Sequence, residues 1–420
     1  MRCTAAALAL CATAALGALL AGCGGGGGGN APAAAGSSRV GSDAASAGAT
    51  SGLDVTLAGA MTPASNQVPV TIGPFAAGGR TANLPYVTVT VCNSSGSCVD
   101  VDHVVLDTGS FGLRVTAASV AALNLPPLPA ASGGTLAECA YFLSGTTWGS
   151  IARARVQMGG EVASNASIQI IGDKASGASP RACTDRGADQ GSVTGLGGNG
   201  LLGMGLFATD IGTGRYFACN GTTCSPATTL PLQPVVNPAW LFPRDNNGLI
   251  LQLPAVGRTG AATATGLLTF GIDTEPDNSI ANYALLAADS KGNFKATLQG
   301  ADYGSSFIDS GSNFTYATLS VPDVTGGGLY APATYATYPL ELTPNVGTGQ
   351  GITTQILVIN PSALNFDTDT AFDDVAAPGS PSGPLGSVDL GLTSFFGHAT
   401  ALLFAGKSCA QGSGPLYALH

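Results

Sequence analysis

Residues 86–91, Tyr-Val-Thr-Val-Thr-Val, alternate apolar and hydroxyl side chains. That is the two-residue period of a strand with one buried face. Residues 99–106, VDVDHVVL, begin with the same alternation and end as an unbroken apolar run. The five residues between Cys92 and Cys98 are Asn, Ser and Gly, which is turn chemistry. The two segments therefore form a hairpin whose second strand runs into the interior. Further strands are expected over 148–162, with a turn, and over 266–275. Residues 195–207 set apolar side chains between glycines and read as a buried strand. No long helical period stands out, so helices should be few and short. The best candidate is 116–123, ending before Pro126.

The inward-running strand ends on an acid, in Asp107-Thr108-Gly109-Ser110. The pattern returns after Phe307 and Ile308 as Asp309-Ser310-Gly311-Ser312, 309 − 107 = 202 residues later. A lone acid in such a place is a turn residue. A matched pair invites another reading, because two carboxylates a few ångströms apart cannot both ionise and share one proton. The charged member can take a proton from water, and the protonated member can hydrogen-bond a peptide carbonyl. Gly109 and Gly311 let the backbone turn tightly and bring its N–H groups to the acids. Thr108 and Ser310 are placed to bond across to the opposite loop, and Ser110 and Ser312 to donate to the carboxylates.

With these motifs in view, the chain resembles the pepsin-like aspartic peptidases. "VVLDTGSFGLRV" (104–115) and "FIDSGSNFTY" (307–316) are similar to that family's two active-site motifs. "GLLGMGL" looks like the strand that threads beneath the first loop, "GLLTFGIDTE" like the opening of the second lobe, and 388–404 like the final threading strand. The resemblance implies an all-β, bilobal fold with few short helices: two β-barrel-like lobes, 53–248 and 249–420, with a cleft between them. It implies Asp107 and Asp309 as catalytic acids, and no metal or organic cofactor. Three features depart from the family. Arg114 stands where Trp is usual, Phe142 where the flap carries Tyr, and Asp389 at an apolar place in the last threading strand. Tyr141 and Trp148 are the nearby flap or cleft candidates, with packing the favoured role for Trp148. The departures leave a second reading open, a bilobal binding protein that keeps the cleft and has lost turnover.

The chain's start bears on where this would happen. Arg2 is followed by a mostly Ala and Leu segment and by Leu20-Ala21-Gly22-Cys23. This resembles a bacterial lipoprotein signal, with residues 1–22 removed and Cys23 lipidated. Gly24 after the cysteine favours the outer membrane. Residues 23–52, the cysteine and a stretch that is mostly Gly, Ala and Ser with almost no bulky side chain, form a flexible tether of about 30 Å. Together with "DTGSFGLRV" and "TTWG", the lipobox also resembles a bacterial lipoprotein family of unknown function. The expected setting is the cell envelope, with membrane contact through the lipid, a monomeric body, and a peptide or unfolded protein as substrate.

Composition agrees with an exported globular protein. Of 420 residues 45% are hydrophobic and only 10% charged. With 15 Lys and Arg against 25 Asp and Glu, no basic surface is available for nucleic acid. Export makes disulfides reasonable. Cys92–Cys98 and Cys219–Cys224 flank tight loops, Cys139–Cys183 is a third pairing, and Cys409 is left over. Gly195–Gly200 fits a dinucleotide fingerprint but lacks the acid that should follow. Residues 367–374, DTDTAFDD, lack the glycine and final glutamate of a calcium loop and read as a solvated acidic loop. His103, four residues before Asp107, is a candidate to tune that acid or simply to face a neighbour.

Overall fold

The computed structural model describes residues 62–75, 81–210, 214–322, 328–347, 349–379 and 386–420. The expected signal segment, the Cys23 lipidation site and the tether lie outside the described residues. From Gly52 onward the chain is one compact unit. It is nearly all-β, as the alternation implied. Its helices are the single turns Arg181–Thr184 and Val193–Leu196 and four short 3-10 segments, among the described residues. None is long and apolar enough to cross a membrane.

The first part is a barrel. Its strands are β1 (Gln67–Ile72), β2 (Pro85–Cys92), β3 (Cys98–Asp107), β4 (Phe111–Thr116), β5 (Thr135–Phe142), β6 (Gly145–Met158), β7 (Glu161–Ile171) and β8 (Gly200–Met204). β6, β7, β4, β8, β3 and β2 are neighbours in that order, and β2 pairs again with β6, which closes the ring. Closure removes free strand edges and encloses Val89, Val91, Val104, Leu106, Leu113, Ile168 and Leu202. The hairpin is in the expected place, with Cys92 opposite Cys98. Thr88 and Asp100 point outward while Val87, Val89 and Val101 are buried. The alternation stops at Val104 because both faces of β3 are covered from there on: Val104 and Leu106 face the barrel core, while Val105 packs with Phe75, Leu84 and Tyr86 on the other side, and a strand buried on both faces reads as a continuous apolar run.

β1 joins the barrel to a five-stranded stretch by pairing with its first strand, Ala264–Phe270. A separate seven-stranded sheet carries Ala301–Ile308, Asp389–Leu390 and Thr315–Ala317 side by side. All three cysteine pairs form disulfides, and among the described residues Cys409 is the free thiol.

Two local expectations are corrected. Over 116–123 only Ala121–Leu123 is helical, as one 3-10 turn, because Thr116 finishes β4 and Asn124 ends the turn in the left-handed region. The acidic stretch 367–374 is not a solvated loop throughout. Ala371, Phe372 and Asp374 are fully buried, with Phe372 packed against Phe366 and its amide bonded to Asn83. Neither side-chain oxygen of Asp374 has a hydrogen-bond partner among the described residues. Burial, then the neighbouring Asp373, pushes its carboxyl up to about 7. The folded state thus holds a proton that the unfolded chain releases near the ordinary carboxyl value. The stability this proton provides is full in acid and is lost as pH rises through about 7. We therefore expect Asp374→Asn to match the wild type in acid and to be more stable above neutrality, by on the order of 2–4 kcal/mol. Urea unfolding at the two pH values measures the difference.

Candidate active site

β3 delivers Asp107 and the strand Ala301–Ile308 delivers Asp309, each to the end of a buried strand. The two loops are constructed alike. β8 lies between β3 and β4, parallel to the first and antiparallel to the second. Asp389–Leu390 lies likewise between Ala301–Ile308 and Thr315–Ala317. Each acid loop is therefore held open by a strand threaded through it. Glycine is required where the thread passes under the loop. A Cβ on Gly203 would come within 2.4 Å of Phe111, and one on Gly391 within 2.0 Å of the Phe314 carbonyl.

The loops meet through four crossed hydrogen bonds. The Thr108 amide donates to Ser310 Oγ at 3.0 Å, and the Ser310 amide to Thr108 Oγ1 at 2.9 Å. Each hydroxyl then donates to the opposing strand, Ser310 Oγ to the Leu106 carbonyl and Thr108 Oγ1 to that of Ile308. Thr108 and Ser310 are buried, so no water is needed to satisfy either amide.

This clasp brings the acids together. The Gly109 amide donates to Asp107 Oδ1 at 2.8 Å and to Asp309 Oδ1 at 3.1 Å, so one N–H reaches both carboxyls. Asp107 also accepts from the Ser110 amide and hydroxyl. Asp309 accepts from the Gly311 amide at 2.7 Å and from Ser312 Oγ at 3.0 Å. A Cβ on Gly109 would lie 2.5 Å from the Asp309 carboxyl, and one on Gly311 2.6 Å from that of Asp107. Close approach, not turn conformation alone, demands both glycines. Burial first, then the charges of Asp107 and Asp389, raises the Asp309 carboxyl well above its ordinary value. The pair can therefore hold one proton beside one charge.

Residues 62–419 match the family described as "Protein of unknown function (DUF3443)". The chain belongs to that family. No curated protein matches it. Among solved structures, the aspartic proteinase from Irpex lacteus is similar at 16% identity and a TM-score of 0.46, over 84% of this chain and 96% of the other.

The other predicted residues of this DUF3443 protein fall around the first loop. Arg114 is fully buried yet forms a fork with Glu138 on β5, Nη2 to Oε1 at 2.9 Å and Nε to Oε2 at 3.2 Å. It also pairs with Asp210 and donates to the Phe111 carbonyl, at the foot of the acid loop. Burial opposes its charge, but Glu138 and Asp210 outweigh burial and hold the guanidinium charged. Phe142 lies beside it, 5.6 Å from ring centre to guanidinium. The guanidiniums of Arg215 and Arg186 both lie over the Tyr141 ring, 3.6 and 4.4 Å from its centre. Trp148 is 7% exposed, edge-on to Phe217, and donates from Nε1 to the Gly177 carbonyl. It occupies its packing role, beside the Cys139–Cys183 bridge. His103 pairs with Asp102 and packs edge-on to Tyr86.

Sequence reasoning missed Glu138 and Asp210. The available signal was an acid inside an otherwise apolar strand, TLAECAYF, matched by a lone Arg in FGLRV. Two opposite charges on buried strands must find each other. Arg114→Met should strand Glu138 and Asp210 without a counter-charge and cost about 3–5 kcal/mol in urea unfolding. A loss below about 1 kcal/mol would show that the fork carries no weight.

Proposed function

We propose that this protein is an envelope-tethered aspartic endopeptidase, with Asp107 and Asp309 sharing the acid and base roles. The observation that carries the proposal is the single Gly109 N–H bonded to both carboxyls. Such proximity forces the pair to share a proton. Asp309, whose proton is held by burial and neighbouring charge, donates to the carbonyl oxygen of a bound peptide. Asp107 takes a proton from a water lying between the acids, and the resulting hydroxide adds to the carbonyl carbon. The diol then collapses as Asp107 returns its proton to the departing nitrogen and Asp309 recovers one from a diol hydroxyl. Thr108, Gly109, Ser110, Ser310, Gly311 and Ser312 keep the oxygens in register throughout.

The substrate is an extended peptide or unfolded protein, lying in a cleft between lobes 53–248 and 249–420. Phe142 and Tyr141, on the β5–β6 hairpin, form the flap, and Arg114 fixes that hairpin to the acid loop from beneath. The Trp-to-Arg departure is thus compatible with turnover, because the buried fork replaces the packing an indole would give. The lipid on Cys23 and the tether hold the monomeric body at the bacterial envelope.

The chain from residue 53 should cleave an unfolded protein substrate in acid. Cleavage should be inhibited by pepstatin and should fall as rising pH removes the shared proton. Asp107→Ala and Asp309→Ala should each lower kcat/KM about 10⁴-fold. Peptide binding without cleavage in the wild type would replace this proposal with the binding-protein reading. Cleavage that survives either substitution would refute the assignment of the acids.

A further inference from the structure

The two acid loops can be compared position by position. The offset of 202 residues that relates Asp309 to Asp107 also relates Ser312 to Ser110 and Tyr316 to Arg114. The threads correspond as well. Leu201 lies opposite Val105 and Arg114, while Asp389 lies opposite Phe307 and Tyr316. One thread carries a leucine at this place and the other a carboxyl. Asp389 is 5% exposed and sits against the second acid loop.

Ser312 lies between the two acids. Its Oγ is 3.0 Å from Asp309 Oδ2 and 2.7 Å from Asp389 Oδ2. A serine hydroxyl has one proton and can donate to one of these oxygens. The other contact is a hydrogen bond only if the carboxyl supplies the proton. The second oxygen of Asp389, Oδ1, is buried with no hydrogen-bond partner among the described residues, an arrangement that suits an unionised acid and penalises a carboxylate.

We propose that Asp389 is a positioning residue that stores a proton for Asp309 and delivers it through Ser312. In the transfer, the Asp389 proton passes from Oδ2 to Ser312 Oγ as the Ser312 proton passes to Asp309 Oδ2. Asp389 becomes the carboxylate, Asp309 the acid, and the serine is unchanged. Burial pushes Asp389 up to about 7, opposed by the Ser312 bond and aided by the charge of Asp107. The other titratable groups facing it are Asp309, Tyr316 and Tyr417. Burial raises both phenols, Tyr316 to about 12, so they stay neutral in the working range. Once ionised, Asp389 places a negative charge beside the pair and strengthens its hold on the last shared proton. Storage and charge act in the same direction: both extend the singly protonated pair toward neutral pH.

The effect on turnover rests on the peptidase reading, whereas the stored proton can be measured without it. In the whole chain, Asp389→Leu restores the residue type of the first thread, and Asp389→Asn keeps the shape without the acid. Thermal melting confirms that the variants fold. In acid, kcat/KM should remain within about twofold of the wild type. The alkaline limb should move down by about one pH unit, a loss of about tenfold at neutral pH. An unmoved limb, or an equal loss at every pH, would overturn the proposal. Infrared difference spectra of the whole chain with carbon-13 aspartate should show, beside the bands of Asp309, Asp373 and Asp374, a further protonated-carboxyl band that disappears toward neutrality. Asp389→Asn should lack that band. Its survival in the variant would overturn the stored proton whatever the activity. A wild type with the Asp389-dependent band but no cleavage would retain the stored proton and reject only the peptidase reading.

Discussion

The site depends on the exchange of hydrogen bonds between Thr108 and Ser310. Each hydroxyl accepts from the amide of the opposing loop and donates to the strand behind it. The exchange satisfies the two amides in a place that water does not reach, so either loop alone would leave a buried donor unpaired. Once the clasp forms, the distance between Asp107 and Asp309 is no longer free to relax. Like charges that would separate in solution are held within reach of one Gly109 amide. The shared proton follows from that constraint and not from any special property of either acid.

Around the clasp, the chain offsets buried polarity by different means in its two halves. In the first, Arg114 lies among apolar strands and is neutralised by Glu138 and Asp210. In the second, the matching position is Tyr316, and the charge-bearing group is Asp389 on the thread, with no basic hydrogen-bond partner among the described residues. An acid in that position lowers its cost by keeping its proton. The first half is therefore stiffened by an ion pair, while the second is sensitive to protons. This asymmetry lies over a backbone construction that the halves share.

Much of this was legible in the residues. The alternation in 86–91 and the apolar run ending at Leu106 defined the hairpin and its inward turn, because burial on one face and on two faces leaves different periods. The repeated Asp-(Thr/Ser)-Gly-Ser motif marked the acids and the crossing hydroxyls, because the close approach leaves no room for a side chain at Gly109 or Gly311. The 3-10 turn at Ala121–Leu123 read as a longer helix, since local periodicity does not register that β4 extends to Thr116. The burial of Asp374 and the fork of Arg114 with Glu138 were hidden for another reason. Charge counts as surface unless its partner is known, and Glu138 is 24 residues from Arg114 along the chain. Asp389 was visible as an anomaly, but its bond to Ser312 comes from a strand paired across 77 residues.

Neutron diffraction from crystals grown in mild acid and exchanged into heavy water tests the central claim most directly, because it locates the protons themselves. The account predicts one deuteron between the facing oxygens of Asp107 and Asp309, with the Gly109 amide directed at both. Two bare carboxylates, two fully deuterated carboxyls, or acids too far apart to share the Gly109 amide would contradict it.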